Sequence, residues 1–199
     1  MENAEVAGAG VMSMLLDTFS TLTQRYTQPL YAFLRGLVGD PELARDLLQD
    51  AFCAAWDTAQ RGIPPFVADG DQIAMRRWLY RVAYRRVIDT RRRSQVIRWE
   101  SLDALQADEA AHTDPATSFE DLIAESEAMG RALAVLHMED VACLLLMIVQ
   151  GFTAHEAAAV VGSTPAAMSK RVGRAKRRLL TVYQAQNPSE SATTPKGRA

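Results

Sequence analysis

The chain has 199 residues, enough for one large or two small domains with cores of their own. Its 22 Lys and Arg against 24 Asp and Glu give a net charge of −2, which taken alone argues against a nucleic-acid binder. Cys53 and Cys143 are too few and too isolated for a disulfide framework or a zinc site. Each lies among apolar neighbours in a helical segment, so both are expected as core thiols in a reducing cytoplasm.

No Lys or Arg precedes Arg25, and the apolar run Val11 to Leu16 is short and interrupted by Ser13. It fits neither a signal peptide nor a membrane span, so no direct membrane insertion is expected. Leu30, Phe33, Leu34 and Leu37 recur at helical spacing until Gly39, and Asp40-Pro41 then supplies an N-cap with proline at the first helical position. The following helix is expected to run to about Trp56. Leu43, Leu47, Ala51, Phe52 and Ala55 form its apolar stripe, with Asp46, Gln49, Asp50 and Asp57 on the other face. Gly62, Pro64, Pro65 and Gly70 mark a loop.

From about Gln72 a basic aromatic helix begins, containing WLYRVAYRRVIDTRRR from Trp78 to Arg93. Leu79, Val82, Ala83, Val87 and Ile88 are its apolar positions. Between Arg76 and Arg98 the sole acid is Asp89, so the near-neutral net charge conceals a strongly basic patch. Cations interleaved with Trp78, Tyr80 and Tyr84 suit nucleic acid, because arginines hold phosphates while flat rings stack on bases that have left the duplex. A solvated basic helix with its aromatics in the core is the alternative, and Trp78 fits either role.

Residues 94–126 lack sustained periodicity, and from Glu100 to Glu127 the chain has acids but no Lys or Arg, which reads as a linker. Leu133, Leu136, Val141, Leu144, Leu145 and Ile148 then suggest two short helices closed by Gly151. Thr153 to Glu156 has the form of a capping box, and the helix it starts ends at Gly162. Thr164 caps a further helix with Pro165 at its first position. On that helix Met168, Val172, Ala175 and Leu179 make a buried stripe, while Ser169, Lys170, Arg171, Arg174, Arg177 and Arg178 fall elsewhere. A short capped helix, a glycine turn and a second basic helix are the grammar of a helix-turn-helix, whose small residues Ala166 and Ala167 allow close approach to a groove. The expected fold is all-α. Two small helical domains, 1–98 and 127–184, are joined by a flexible acidic linker at 99–126, and a disordered tail occupies 185–199.

Three blocks in order resemble the bacterial RNA polymerase sigma factors of the extracytoplasmic-function group: ARDLLQDAFCAAW from Ala44 to Trp56, RRWLYRVAYRRVIDTRRR from Arg76 to Arg93, and GFTAHEAAAVVGSTPAAMSKRVGRAKRRL from Gly151 to Leu179. The resemblance implies that the first block docks on core RNA polymerase, through Asp46, Leu47, Gln49, Asp50 and Phe52. The second would read and help melt the −10 promoter element through Arg76, Arg77, Tyr80, Arg81, Tyr84, Arg85 and Arg92. The third would read the −35 element through Thr164, Pro165, Ala166, Ser169, Lys170, Arg171, Arg174, Arg177 and Arg178. Core polymerase, promoter DNA and an anti-sigma factor are the implied partners, in the cytoplasm.

The second domain alone fits equally a DNA-binding regulator that acts without polymerase. A module binding acidic protein is a third reading. The acidic helix preceding the aromatic basic one is what favours the sigma-like reading. No nucleophile, carboxylate pair or phosphate loop stands out, so neither enzymatic activity nor a cofactor is expected. His112, His137 and His155 are scattered, and no metal site is expected.

Overall fold

Apolar spacing on α1, Glu2–Val38, sets the first side of the core. The structure is a computed structural model and describes residues 2–63, 71–100 and 129–186, all of whose regular elements are helical. Leu22, Tyr26, Leu30, Phe33, Leu34 and Leu37 of α1 are buried, with Leu15 and Phe19 packed against them. Pro29 sits inside the helix and offers no N–H, so the carbonyl of Arg25 loses its usual intrahelical donor. Gly39, at φ 80°, turns the chain out of α1 while its N–H donates to the carbonyl of Arg35 at 2.9 Å.

Helix α2, Pro41–Gln60, begins where expected, because the Asp40 side chain accepts from the N–H groups of Glu42 and Leu43 at 2.8 and 3.2 Å. Ala44, Leu47, Ala51, Ala55 and Ala59 make its buried face, and the preponderance of alanine lets α2 lie close to its neighbours. Helix α3, Gln72–Glu100, is capped by Asp71, which accepts from Ile73 and Ala74. It continues past the expected boundary at residue 94. Arginines are good helix formers, and no Gly or Pro interrupts the segment before Glu100. The expected linker from residue 101 to 126, the loop residues 64–70 and the tail from residue 187 lie outside the described residues.

The second half starts with helical residues 129–134, here α4, followed by α5, Met138–Leu144. α5 runs directly into a π-helical turn, Leu145–Val149, closed by donation from the N–H of Gln150 to the carbonyl of Leu145 at 2.8 Å. Gly151, at φ 68°, then reverses the chain, and the N–H of Phe152 reaches the carbonyl of Leu146 at 2.9 Å. Ile148, one of the apolar positions that suggested these helices, is 54% exposed at the π turn. Helices α6, Ala154–Val161, and α7, Pro165–Gln186, follow, separated by the short turn containing Gly162.

The two helical halves share one connected set of buried side chains. Tyr80 of α3 joins them, its ring 5.2 Å from that of Phe33 and 5.0 Å from that of Phe152. Gly36 permits the approach of α1 to the π turn, since an added Cβ would stand 2.7 Å from the Cδ1 of Leu145.

The capping box of α6 is complete. Glu156 accepts from the backbone N–H and the hydroxyl of Thr153 at 2.8 and 2.7 Å, and the Glu156 N–H donates to that hydroxyl oxygen at 3.2 Å. Hydrogen bonds from the Thr153 side chain and backbone hold the Glu156 carboxyl below its ordinary pKa. A carboxyl with a depressed folded-state pKa stabilises the fold above its unfolded value, about 4.3, and the contribution disappears as pH falls through the lower folded value. Glu156→Ala is therefore expected to cost about 0.5–1 kcal/mol at pH 7, with the difference from wild type shrinking towards pH 3. Urea unfolding of both chains across that range measures it.

Candidate nucleic-acid interface

Arg76, Arg81 and Arg91 of α3 reach the ends of other helices. A helix leaves its last carbonyls without intrahelical donors, and these bear partial negative charge, so a guanidinium that reaches them is well placed. Arg91 donates to the carbonyl of Leu37 in the last turn of α1 at 2.9 Å. Arg76 donates to the carbonyl of Gln150 at the end of the π turn. Arg81 donates through Nε and Nη2 to the carbonyl of Ala159 in the last turn of α6, at 2.8 and 2.5 Å. The last of these carbonyls needs such a donor, because Gly162 and Ser163 both donate to Ala158 instead.

The aromatic residues of α3 lie beneath this layer. Tyr80 is fully buried, and its hydroxyl donates to Oε1 of Gln150 at 2.6 Å. Burial pushes its phenol well above the ordinary tyrosine pKa. Tyr84 is also buried, and its pKa is raised first by that burial and then by the negative charge of Glu139, with Arg171 and Arg91 opposing. Trp78 is half-buried and packs against the core. Of the remaining residues expected at the −10 element, Arg77 is half-buried, while Arg85 and Arg92 are exposed. The ring of Phe152 carries the guanidinium of Arg76 at 3.9 Å from its centroid.

On α7 the expected stripe is inside: Met168 and Ala175 are buried, with Val172 and Leu179 half-buried. Thr164, Pro165, Ala166, Ser169, Lys170, Arg174, Arg177 and Arg178 are exposed together, and Thr164 accepts from the N–H of Ala167 at 3.2 Å as the expected cap. Arg171 pairs with Glu139 and lies 3.9 Å from Asp140, which Arg178 also reaches at 3.4 Å. The hydrogen bond to Glu139 raises the Arg171 pKa.

The α2 face presents Asp46, Gln49 and Asp50 to solvent. Leu47, expected among the docking residues, is a core side chain and supports this face from below. Phe52 is half-buried and lines an apolar groove of about 480 Å³ between α1 and α2, together with Phe19, Leu48, Gln49, Cys53 and Trp56. Phe19 stands edge-on to Trp56 at 5.1 Å and to Phe52 at 6.3 Å. Cys53, expected in the core, is exposed beside this groove, because it falls on the solvent side of the Ala51 and Ala55 stripe. The groove was not foreseen. Its signal lies in Leu15, Phe19, Leu22 and Tyr26, which extend the helical spacing of α1 towards the N-terminus.

Among the described residues no helix is long and apolar enough to cross a membrane, and no group of His, Cys, Asp and Glu could hold a metal. Residues 22–96 match the Sigma-70 region 2 family. The chain is 30% identical over 170 residues to the RNA polymerase sigma factor NccH of Alcaligenes xylosoxydans xylosoxydans, covering 83% of this chain and 87% of that one. Its fold resembles that of the sigma factor RpoE in complex with the anti-sigma factor NepR from Bartonella quintana, with a TM-score of 0.63, 21% identity and coverage of 84% of this chain and 99% of that one. CnrH in complex with the cytosolic domain of CnrY is similar at a TM-score of 0.60 and 22% identity, covering 92% and 97%. The chain belongs to the RNA polymerase sigma factors of the extracytoplasmic-function group. Its place is in transcription initiation, as a regulatory protein.

The two thiols differ sharply in environment. Cys143 is buried, contacts the carbonyl of Met168 at 3.6 Å, and has its thiol pushed up to about 11 by burial. A thiol reagent at pH 8 is expected to modify Cys53 promptly and Cys143 only on unfolding. Peptide mapping after timed labelling reads this directly.

Proposed function

We propose that this sigma factor docks on core RNA polymerase through the exposed Asp46, Gln49 and Asp50 of α2, with Phe52 at the rim of the adjoining groove. α7 then reads the −35 element, and α3 reads and helps open the −10 element. The observation that supports this reading best is the segregation of charge: acids are displayed on α2, and exposed cations on α3 and along α7. An acidic helix face complements a basic partner helix, whereas the α7 cations suit phosphates. Small Ala166 and Ala167 at the start of α7 leave its first turn able to enter a groove.

The same α2 face suits an anti-sigma factor, the kind of partner bound to RpoE in its solved complex. Such a protein would compete with polymerase. The working compartment is the cytoplasm, where core polymerase and promoter DNA meet.

Docking is tested by Asp46→Lys with Asp50→Lys, which reverses two exposed charges without touching the core. Core binding is expected to weaken by at least about tenfold, with helicity unchanged. Undiminished binding by the folded double variant would remove these residues from the docking face. Core polymerase is also expected to shield Cys53 of the wild-type chain from labelling, since that thiol shares its groove with Gln49 and Phe52.

The α7 assignment is tested on holoenzyme by Arg174→Ala. Losing one phosphate contact lowers the slope of log affinity against log salt by about 0.9. A variant with unchanged promoter affinity and unchanged slope would show that this side chain does not meet DNA.

A further inference from the structure

A single acid stands at the centre of the cationic face of α3. Tyr80, Ala83, Tyr84 and Val87 make the buried side of that helix, and at about 100° per residue the direction opposite to them falls on Asp89. Arg85, Arg86, Arg92 and Arg93 lie three and four positions to either side of it, the spacing at which helical side chains are neighbours, and all five are exposed. Asp89 is nevertheless without a hydrogen bond or ion pair to any described residue. The hydrogen bonds of α3 to the second half are made elsewhere, by Arg76, Tyr80 and Arg81.

Cations so placed attract phosphate, and a carboxylate among them repels it. Such an acid is repaid only where the nucleic acid offers a donor, because a carboxylate accepts and cannot donate. Cytosine alone offers a donor with no acceptor of its own beside it in the major groove, the N4 amine. Guanine presents O6 and N7, thymine presents O4 and a methyl group, and adenine sets the acceptor N7 next to its N6 amine. We infer that Asp89 is a specificity-determining residue of the −10 interface, accepting from N4 of one cytosine and rejecting thymine at that position. The inference rests on the assignment of α3 to the −10 element made under Proposed function. While the strands are paired, the guanine opposite presents O6 and N7 to a neighbouring guanidinium, and Arg85 lies one turn from Asp89.

Thymine is rejected by repulsion as well as by the missing donor, since its O4 meets the carboxylate with no proton between them. Removing the charge therefore improves binding to DNA that carries thymine there. A carboxylate that only steadied a basic helix by offsetting its arginines would behave otherwise. Its loss would lower the stability of α3 and weaken binding to every DNA alike.

The test compares wild type with Asp89→Asn, which keeps the size of the side chain and carries both a donor and an acceptor, so that it can meet cytosine N4 or thymine O4. Holoenzyme made with each chain selects duplex fragments from a pool randomised over the length of a promoter. Affinities are then measured for selected fragments carrying cytosine or thymine at each −10 position in turn, and circular dichroism checks the fold. Wild type is expected to prefer cytosine at one position by about tenfold, and Asp89→Asn to reduce that preference to about twofold, chiefly by binding the thymine fragment more tightly. Weaker binding of the variant to all fragments, with their ratios kept, would overturn the inference. A preference lost at a position where wild type selects another base overturns the assignment to cytosine. Should Asp89→Asn lose helicity, Asp89→Ser takes its place in the same measurements. Arg85→Ala runs in parallel. Preferences that Asp89→Asn keeps and Arg85→Ala loses sink the role of Asp89 alone, whereas preferences that neither variant changes sink the assignment of α3 itself.

Discussion

Unsatisfied carbonyls at helix ends are the constraint on which the arrangement of this molecule depends. Each helix terminates with acceptors that its own backbone cannot serve, and a folded chain must find donors for those removed from water. α3 supplies them, sending Arg91 to the end of α1, Arg76 to the end of the π turn and Arg81 to the end of α6. A guanidinium is suited to this work because it carries five donors in a planar fork and keeps its charge. Aromatic packing beneath the cations then excludes water. Phe33, Tyr80 and Phe152 form a continuous run of rings from α1 through α3 to the second half.

Much of this could be read from the sequence, for reasons that differ by element. Caps were legible because their chemistry is local: Asp40, Thr153 and Thr164 each bond within three residues of themselves. The buried stripe of α7 was legible because period alone specifies it. The end of α3 was not, since residues from Ser94 onward lack sustained periodicity while nothing before Glu100 breaks the helix. The π turn was not legible, because apolar spacing through Ile148 does not distinguish it from an α-helical turn. Cys53 was misplaced by a related fault, in which apolar neighbours in sequence were taken for neighbours in space.

The site residues show the sharper limit. The pattern of cations and rings on α3 suits nucleic acid, but composition cannot say which of those side chains the second half engages. Gln150 carries no sequence signal of its own: it is one polar residue at the end of an apolar run. Its importance arises from three contacts to residues more than sixty positions away, and such partners appear only once the helices are assembled.

Salt separates the two kinds of contact made by the arginines. Contacts with DNA phosphates release counterions and weaken steeply as ionic strength rises. The contact between the two halves depends instead on buried rings and on hydrogen bonds to neutral carbonyls, which screening affects little. Arg171 and Arg178 lie between these cases. Their partners Glu139 and Asp140 belong to the same half of the molecule, and pairs at or near the surface are worth about 0–1 kcal/mol, so a phosphate can displace them at small cost.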